Sequence, residues 1–493
     1  MKIYICLLSL FWGTVGNSYG QAVSRDLKDA YYCSPCDQGC DTIAYDHPGI
    51  CPICHMDLVR TRRRGTTESL IDSNFVGHWK GTAHTSDQNL RFSVDIVGGA
   101  DPTILFSAGE IGARNVNGVR ISTSDKQLHF ELPGDDATMI FDGSVSNDTI
   151  AGRFTTDDRS PAVENRTGTF ELERTTTPPT KYSVRDTIFN NGEVRLAGSL
   201  YMPSGPGLFA AVVCNHSSGD QQRYDGAFMA DFLASRGIAV LIYDKRGDGK
   251  SAGNWKTASF EDLADDCIAG VRLLKTIPSL DSNAIGIFGH SQGATFSPII
   301  ISRCPDIAFN VAAAGFAVSP PEQDIFRVRN ILLHQAHFSN RVADSALRFY
   351  KIWLEVARTG KGWDAMQREN EKVKTAGWYT WVQPPPADSW PWTWYRKAGN
   401  YHFIPYWEKV RIPTLLLYGE KDEITPVGPS ARKIGSALEK AGNRTHQLII
   451  FPNAIHNLTE VKKEGDLWAK TTPGYYETIY RWIMRNCRKP MAE

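Results

Sequence analysis

The chain has 493 residues, of which 42% are hydrophobic and 22% are charged. These values are ordinary for globular protein, and this length predicts two to four domains at roughly 150 residues per domain. Lys plus Arg and Asp plus Glu both number 54, so the formal net charge is zero. This balance gives no support for a nucleic-acid partner or for an acidic polymer as substrate.

Residues 1–20 have the pattern of a signal peptide. Lys2 supplies a positive charge, residues 3–12 form an apolar run, and Ser18 and Gly20 fit a cleavage site. We therefore expect export to the periplasm or the exterior; the alternative is a buried N-terminal strand. No later stretch has the length and hydrophobicity of a membrane helix, so we expect no integral membrane segment in the mature chain.

Residues 30–60 contain five of the ten cysteines. Two C-x2-C pairs, Cys33 with Cys36 and Cys51 with Cys54, have the spacing of a tetrahedral zinc site. A segment this short needs a cross-link in order to fold. Disulfides are the alternative, because export favours oxidation of thiols. The spacing alone leaves both interpretations open.

Residues 48–58, P-G-I-C-P-I-C-H-M-D-L, resemble the small heavy-metal-binding domain of bacterial metal-efflux proteins. His55 replaces the usual glycine of that motif, and Cys36 stands where the family often has histidine. The resemblance implies a bound metal ion, which we expect to be Zn²⁺ with a structural or scavenging role. Cys40, His47 and His55 are further candidate ligands.

Residues 72–174 are predicted to form an all-β module, either a barrel or a sandwich. Apolar and polar residues alternate in residues 90–96 and 127–132, and turn signals recur about every ten residues. Residues 175–180, T-T-T-P-P-T, form a linker, because consecutive prolines cannot continue a β-ladder.

Residues 181–493 alternate apolar strands with helical patterns. Continuous apolar strands separated by helices predict a mostly parallel sheet that is buried on both faces. Residues 320–406 interrupt this order with helical runs that are rich in tryptophan. We expect this insertion to be a cap over the active site. Its tryptophans form the core of the cap or face the substrate, where they would favour bulky apolar groups.

Residues 289–293, G-H-S-Q-G, follow an apolar strand and precede a helical run, which is the context of a nucleophile elbow. Side chains at Gly289 and Gly293 would collide with neighbouring backbone in so tight a turn. Ser291 is therefore the predicted nucleophile.

Two later strands each end in a residue that could complete a catalytic triad with Ser291. The strand at residues 415–418 leads to Asp422, and the strand at residues 447–451 leads to His456. The order Ser, Asp, His is that of α/β-hydrolases. His456 is the predicted general base and Asp422 the acid that orients it. Glu420 and Glu423 are alternatives to Asp422.

The tetrahedral intermediate of acyl transfer needs backbone amides as hydrogen-bond donors. The amide of Gln292 is the first expected donor. The second is expected from the loop after the strand at residues 212–215, with Ser217 preferred and Ser218 next.

Residues 181–490 resemble the α/β-hydrolase superfamily, in particular its bacterial carboxylesterase and prolyl-oligopeptidase-like serine hydrolase branch. Residues 243–251, Y-D-K-R-G-D-G-K-S, match the superfamily's D-x-R-G-x-G-x-S loop, and residues 215–219 resemble its H-G-S-G oxyanion loop. Ser217 stands where glycine is usual, which leaves the oxyanion geometry open. The resemblance also implies a structural role for His290.

These residues predict an exported serine hydrolase that cleaves small-molecule carboxylic esters through an acyl-enzyme, without a cofactor in catalysis. A prolyl-oligopeptidase-like or aminopeptidase-like serine peptidase is the nearest alternative, because the same triad cleaves amides. A non-catalytic binding protein with a metal-binding module is the alternative of a different class. Since the triad and the oxyanion loop lie beyond residue 200, we expect a chain starting near Thr180 to retain hydrolysis if it folds.

Overall fold

The computed structural model describes residues 30–33, 44–45, 58–61, 71–99, 102–134, 137–158 and 166–487. The predicted signal peptide lies outside the described residues. So do Cys36, Cys51 and Cys54, and Cys33 is described by its backbone only. Among the described residues, a search for a helix with the length and hydropathy of a membrane span finds none.

Three short antiparallel strands form a first sheet in the order β2-β1-β3. They are β1 (Ala30–Cys33), β2 (Ala44–Tyr45) and β3 (Leu58–Thr61). Leu58 of β3 lies opposite Cys33 of β1. In the sequence, Leu58 lies four residues after Cys54.

Nine antiparallel strands form the second sheet, which we call the β-module. Its strands are β4 (Gly77–His84), β5 (Asn89–Val97), β6 (Thr103–Ala108), β7 (Ala113–Asn117), β8 (Val119–Ser124), β9 (Gln127–Pro133), β10 (Ala137–Ser146), β11 (Thr149–Asp158) and β12 (Thr167–Thr175). The strands at the two ends of the pairing order, β7 and β8, are separated in sequence only by Gly118. The sheet must therefore curl back on itself.

Alternation of apolar and polar residues explains the core of the β-module. In β5, Leu90, Phe92, Val94 and Ile96 are buried while the residues between them are more exposed. Aromatic rings fill the interior: the ring of Phe141 is stacked at 4.7 Å on that of Phe130. A curled sheet thus encloses one aromatic core.

The third sheet has eight strands in the order β13-β14-β16-β15-β17-β18-β19-β20. They are β13 (Tyr182–Asn191), β14 (Val194–Pro203), β15 (Phe209–Asn215), β16 (Ile238–Tyr243), β17 (Leu280–His290), β18 (Asn310–Ala313), β19 (Thr414–Gly419) and β20 (His446–Phe451). Strand β14 pairs antiparallel with both of its neighbours, β13 and β16. Every other pairing in this order, from β16 through β15 to β20, is parallel. Over the whole described chain, antiparallel pairings outnumber parallel ones.

Helices cover both faces of this sheet, which explains why every residue of β16 and of β19 is buried. The helices outside the cap are α1 (Ala227–Ala234), α2 (Phe260–Lys275), α3 (Gln292–Thr295), α4 (Ser297–Arg303), α10 (Val427–Lys440) and α11 (Tyr475–Asn486). Residues of α1 and α11 share one core cluster, and residues of α2, α4 and α10 share the other. The sheet lies between these two cores.

The cap lies between β18 and β19 in the chain and contains five helices. They are α5 (Pro320–Asn330), α6 (Asn340–Thr359), α7 (Trp363–Val373), α8 (Trp390–Ala398) and α9 (Ile404–Trp407). Ser319 caps α5 in a capping box with Glu322. The cap shares its apolar core with the α2 face of the sheet.

A tryptophan of the hydrolase domain lies in the core of the β-module. Trp468 is 6% exposed, and its ring centroid lies 5.8 Å from that of Phe154. Its Nε1–H donates to Met139 Sδ at 3.4 Å. Gln88 of the β-module holds the same loop, since its Oε1 accepts from the amides of Leu467 and Trp468, each at 2.9 Å. The two units are therefore locked together by a buried side chain.

We expect Trp468→Ala to destabilise the protein by about 3–5 kcal/mol, the usual cost of deleting a buried aromatic side chain. Urea unfolding followed by fluorescence measures this loss. Trp468→Phe keeps the aromatic contact and is expected to cost less. The exposed Val97 of the β-module provides the control, and equal midpoints for Trp468→Ala and Val97→Ala would contradict the prediction.

Candidate active site

Ser291 lies at a sharp turn between the end of β17 and the start of α3. Its backbone has φ +52° and ψ −116°, a conformation that residues other than glycine rarely adopt. The Ser291 amide donates to the carbonyl of Ala313 at 2.8 Å. Since backbone strain of this kind costs on the order of 1–3 kcal/mol, the surrounding structure must hold it in place.

The two glycines of the turn make this close approach possible. A Cβ atom on Gly289 would lie 2.5 Å from the backbone of Gly293, and one on Gly293 would lie 2.6 Å from the carbonyl oxygen of His216. Neither neighbour is a flexible side chain that could move aside. The turn therefore requires glycine at both positions, as the sequence motif indicated.

The structure brings Ser291, His456 and Asp422 into a hydrogen-bonded row. His456 Nε2 lies 2.9 Å from Ser291 Oγ, and His456 Nδ1 lies 2.9 Å from Asp422 Oδ2. A carboxylate only accepts hydrogen bonds, so Nδ1 carries the proton and Nε2 is free to accept from the serine hydroxyl. This is the tautomer in which an imidazole can act as a base toward Ser291.

Asp422 is fixed by the loop after β19. Its side chain is fully buried, and its Oδ1 accepts from the amides of Ile424 at 2.8 Å and Thr425 at 2.7 Å. Glu420 instead accepts from the amide of Asn453 and is about half exposed. Glu423 pairs with His334 of the cap. Neither glutamate bonds to His456.

The loop after β15 reaches the same place from the other side. The amide of Ser217, which the sequence placed first as an oxyanion donor, donates to Gln221 Oε1 at 2.8 Å and is therefore engaged. The engaging residue, Gln221, was not singled out from the sequence. Ser217, Ser218 and Ser291 all line the cavity described below, and Gln292 follows Ser291 in α3, so the engaged amide is what separates Ser217 from Ser218. The geometry thus favours Ser218 over Ser217.

Ser217 and His290 form a second row of hydrogen bonds, which reaches the backbone of His456. His290 Nε2 donates to the carbonyl of His456 at 3.0 Å, which leaves Nδ1 as an acceptor 3.0 Å from Ser217 Oγ. Burial and the neighbouring His456 lower the pKa of His290 to about 4. His290 is therefore neutral at pH 7 and ties the oxyanion loop to the backbone of His456. The serine at position 217 has a partner that a glycine would lack.

Lys245, from the D-x-R-G motif, holds the outer side of the oxyanion loop. Its buried Nζ donates to the carbonyls of Ser217 at 2.7 Å and Gly219 at 2.8 Å. The ammonium also lies 4.7 Å from the ring centroid of Trp255. Burial lowers the pKa of Lys245 to about 7. The sequence identified the motif, but not this contact.

The other charged residues of the motif frame the loop. Both oxygens of Asp244 accept from the buried Arg223 guanidinium, at 3.1 and 2.8 Å. Arg246 makes a bidentate pair with the buried Asp266, at 2.6 and 2.7 Å. Removing one partner of such a buried pair would leave an uncompensated charge, so these residues fix the fold around the site.

A cavity of about 480 Å³ opens in front of Ser291. It is lined by residues of the oxyanion loop, of α1, of the cap helix α5 and of the chain after His456. In α5, the buried Asp324 accepts from Arg327 at 2.8 Å and from the hydroxyls of Tyr350 and Tyr395. The tryptophans of the cap are not among its lining residues within the described chain. The prediction that they face the substrate is therefore wrong for this cavity.

Among the described residues, no group of three or more His, Cys, Asp or Glu side chains could hold a metal ion. The predicted ligands Cys36, Cys51 and Cys54 lie outside that part of the chain. The donor set itself, four thiolates in two C-x2-C pairs, fits the soft, tetrahedral preference of Zn²⁺.

Comparison with known proteins gives two family matches. Residues 209–462, slightly more than half of the chain, match the family described as serine aminopeptidase, S33. Residues 30–61 match the heavy metal binding domain. The second match supports metal binding by the cysteine segment and leaves the identity of the metal open.

Individual relatives share shorter regions. Esterase EstD of Thermotoga maritima is 30% identical over 132 residues, 25% of this chain and 31% of that protein. Polyketide transferase ATR5 of Stachybotrys chlorohalonatus is 30% identical over 173 residues, 34% of this chain and 56% of that protein. The chain thus matches 31% and 56% of the lengths of these two relatives. The solved esterase Pf2001 of Pyrococcus furiosus is 18% identical, with 64% of this chain and 96% of that chain covered and a TM-score of 0.41.

We expect the stability of the protein to fall between about pH 6 and pH 4. Unfolded histidines take up a proton below about pH 6.5, whereas burial lowers the pKa of His290 to about 4 and of His216 to about 3. Between these values the unfolded state binds more protons, so stability decreases as the pH falls, by at most about 1.4 kcal/mol per pH unit for each ring.

Urea unfolding at several pH values measures this slope. The His290→Gln variant removes one of the two imidazoles whose pKa burial lowers, and it should show a shallower dependence on pH. A variant with the same slope as the unmodified protein would show that His290 does not contribute.

Proposed function

The chain belongs to the serine aminopeptidase S33 family of α/β-hydrolases, and on that premise we propose that it is a serine hydrolase that cleaves carboxylic esters of small molecules. The observation that carries this proposal is the row from Ser291 to His456 to Asp422, with both distances at 2.9 Å. Such a row activates a hydroxyl that is otherwise a weak nucleophile.

In the proposed first step, Ser291 Oγ attacks the acyl carbon while its proton passes to His456 Nε2. Asp422 stabilises the imidazolium that forms, and it holds the ring in the tautomer required. His456 then returns the proton to the leaving alcohol, which departs and leaves an acyl-enzyme. A water molecule repeats the sequence: His456 takes its proton, its oxygen attacks the acyl carbon, and Ser291 leaves with the proton.

The negative oxygen of each tetrahedral intermediate would accept from the amides of Gln292 and Ser218. Ser217 is excluded from this role in our proposal, because its amide donates to Gln221. Lys245 and His290 act as positioning residues for the loop, since they bond to the carbonyl and the hydroxyl of Ser217. A preformed set of donors costs no reorganisation during the reaction.

The cavity offers few places for the ammonium group of an N-terminal peptide substrate. An aminopeptidase must bind the ammonium group of its substrate, for which a free carboxylate is the natural partner. The two acidic residues that line the cavity within the described chain are Asp225 and Asp324. Asp324 is already bonded to Arg327 and two tyrosines. The exposed Asp225, which also accepts from the amide of Gln222, is therefore the one acidic residue of this lining that an N-terminal ammonium could pair with.

The experiment that tests this function compares two substrate classes on the purified protein. We expect p-nitrophenyl esters to be hydrolysed and aminoacyl-p-nitroanilides to be cleaved far more slowly. The reverse order of rates would favour the peptidase. Labelling by a fluorophosphonate probe reports the reactive serine independently of the substrate.

We expect Ser291→Ala to abolish both ester hydrolysis and fluorophosphonate labelling while the protein remains folded. Asp422→Asn should lower turnover by roughly ten-thousandfold, because the imidazole then adopts the wrong tautomer. Glu420→Gln is the matched control and should retain most activity, since Glu420 contacts Asn453 rather than His456. Labelling of the alanine variant would place the nucleophile elsewhere.

We also propose that the heavy-metal-binding segment holds one Zn²⁺ through Cys33, Cys36, Cys51 and Cys54. The metal would supply a cross-link, and structural zinc provides on the order of ten kcal/mol in isolated peptides. Elemental analysis of the reduced protein should find about one zinc per chain, and the double variant Cys51→Ser with Cys54→Ser should lose it. Absence of metal together with disulfides among these cysteines would contradict the proposal.

Export to the periplasm or the exterior also remains our proposal, supported by the pattern of residues 1–20. Cleavage after Gly20 would give a mature chain that begins at Gln21. Intact-mass measurement of protein from an exporting host tests this, and a mass that retains residues 1–20 would contradict it.

A further inference from the structure

One wall of the cavity at Ser291 does not belong to the hydrolase domain. Ile111 and Gly112 line the cavity, and both lie in the turn between β6 and β7 of the β-module. The turn begins with a short 3-10 helix at Gly109–Ile111 and ends at Gly112 with φ +68°. The β-module therefore reaches the substrate side of the proposed active site.

The hydrolase domain holds this turn from two directions. On one side, Arg114 Nε lies 3.1 Å from Asp231 Oδ1 of α1. On the other, the Thr471 amide donates to the Glu110 carbonyl at 2.8 Å, and Lys470 Nζ donates to Glu110 Oε2 at 2.7 Å. Contacts on both sides fix the position of the turn over the cavity.

The fit of the turn is close. A Cβ atom on Gly112 would lie 3.1 Å from the hydroxyl of Tyr476 and 3.5 Å from Thr471 Oγ1. Tyr476 and Thr471 themselves line the cavity. Glycine at this position therefore lets the β-module approach the wall that the hydrolase domain contributes. Ile111, which is only partly buried, provides the apolar side chain on that wall.

The chain between His456 and Thr471 connects the two units. Asn457, Thr459 and Thr471 line the cavity, while Trp468 of the same segment is buried in the core of the β-module. The segment that follows the proposed general base is thus anchored in the other unit. The β-module contributes a wall directly and supports a second wall through this segment.

We propose that the β-module is part of the substrate-binding site and that Ile111 determines the size of the acyl or alcohol group the enzyme accepts. This proposal rests on the proposed function as a serine esterase. It reverses the expectation that a chain starting near Thr180 retains hydrolysis: such a chain lacks the Ile111 wall and exposes Trp468. Because apolar contact contributes roughly a fourfold change in binding per methylene group, one side chain on this wall can alter selectivity measurably.

The test uses the full chain and two ester series. The first series is p-nitrophenyl acetate, butyrate and octanoate; the second is acetate esters of alcohols of increasing size. Ile111→Ala should shift kcat/KM toward larger groups in at least one series, by about fourfold per added methylene group that the enlarged cavity accommodates. Ile111→Trp should shift it in the opposite direction, mainly through KM. Val97→Ala, an exposed position of the same module, is the matched control.

The outcomes separate the two proposals. If Ser291 is not labelled by a fluorophosphonate and no ester is cleaved, the proposed function fails and this inference fails with it. If esters are cleaved but both Ile111 variants keep the selectivity of the Val97→Ala control in both series, the function stands and the inference is overturned. Urea unfolding of each variant, compared with the same control, establishes that a changed profile does not come from a misfolded protein.

Discussion

The site depends on one backbone conformation, that of Ser291 with φ +52° and ψ −116°. Its strain can persist only because the neighbouring backbone approaches more closely than side chains would permit. Gly293 lies against the carbonyl of His216, so Ser291 and the loop after β15 are placed by the same contact. The approach of β15 to the turn after β17 then sets where Ser217 and Ser218 can lie. The strain is therefore maintained by parallel-strand packing rather than by the turn alone.

Two buried groups, His290 and Lys245, stabilise this arrangement, and the one beside His456 carries no charge at pH 7. His290 is neutral at pH 7 because burial disfavours the imidazolium. Its ring can thus accept from Ser217 while it donates to the carbonyl of His456. Lys245 lies on the far side of the loop and bonds only to backbone carbonyls there. The hydrogen bonds of Ser217 and Gly219 to these side chains thus fix the shape of the loop after β15.

Features set by short stretches of sequence could be predicted, while those set by distant contacts could not. The elbow at residues 289–293 and the helix Phe260–Lys275 follow from local pattern, and the α/β-hydrolase fold is confirmed by the family match. Gln221 could not be predicted as the partner of the Ser217 amide, because that contact depends on the path of the loop. The burial of Trp468 could not be predicted either: a single large apolar residue in the polar stretch at residues 460–470 does not by itself indicate burial, and Val461 of the same stretch is exposed.

The linker at residues 175–180 separates the β-module from the hydrolase domain in sequence. It marks where the chain passes from one unit to the other, but it does not tell whether the two units are in contact. Gln88 and Trp468 are 380 residues apart and are bonded to each other. Because Trp468 and Thr471 belong to one segment, a displacement of the β-module would move its own turn and the segment after His456 together. The two walls of the cavity are therefore coupled mechanically. Their spacing is a property of the docked pair of units, which neither unit could define alone.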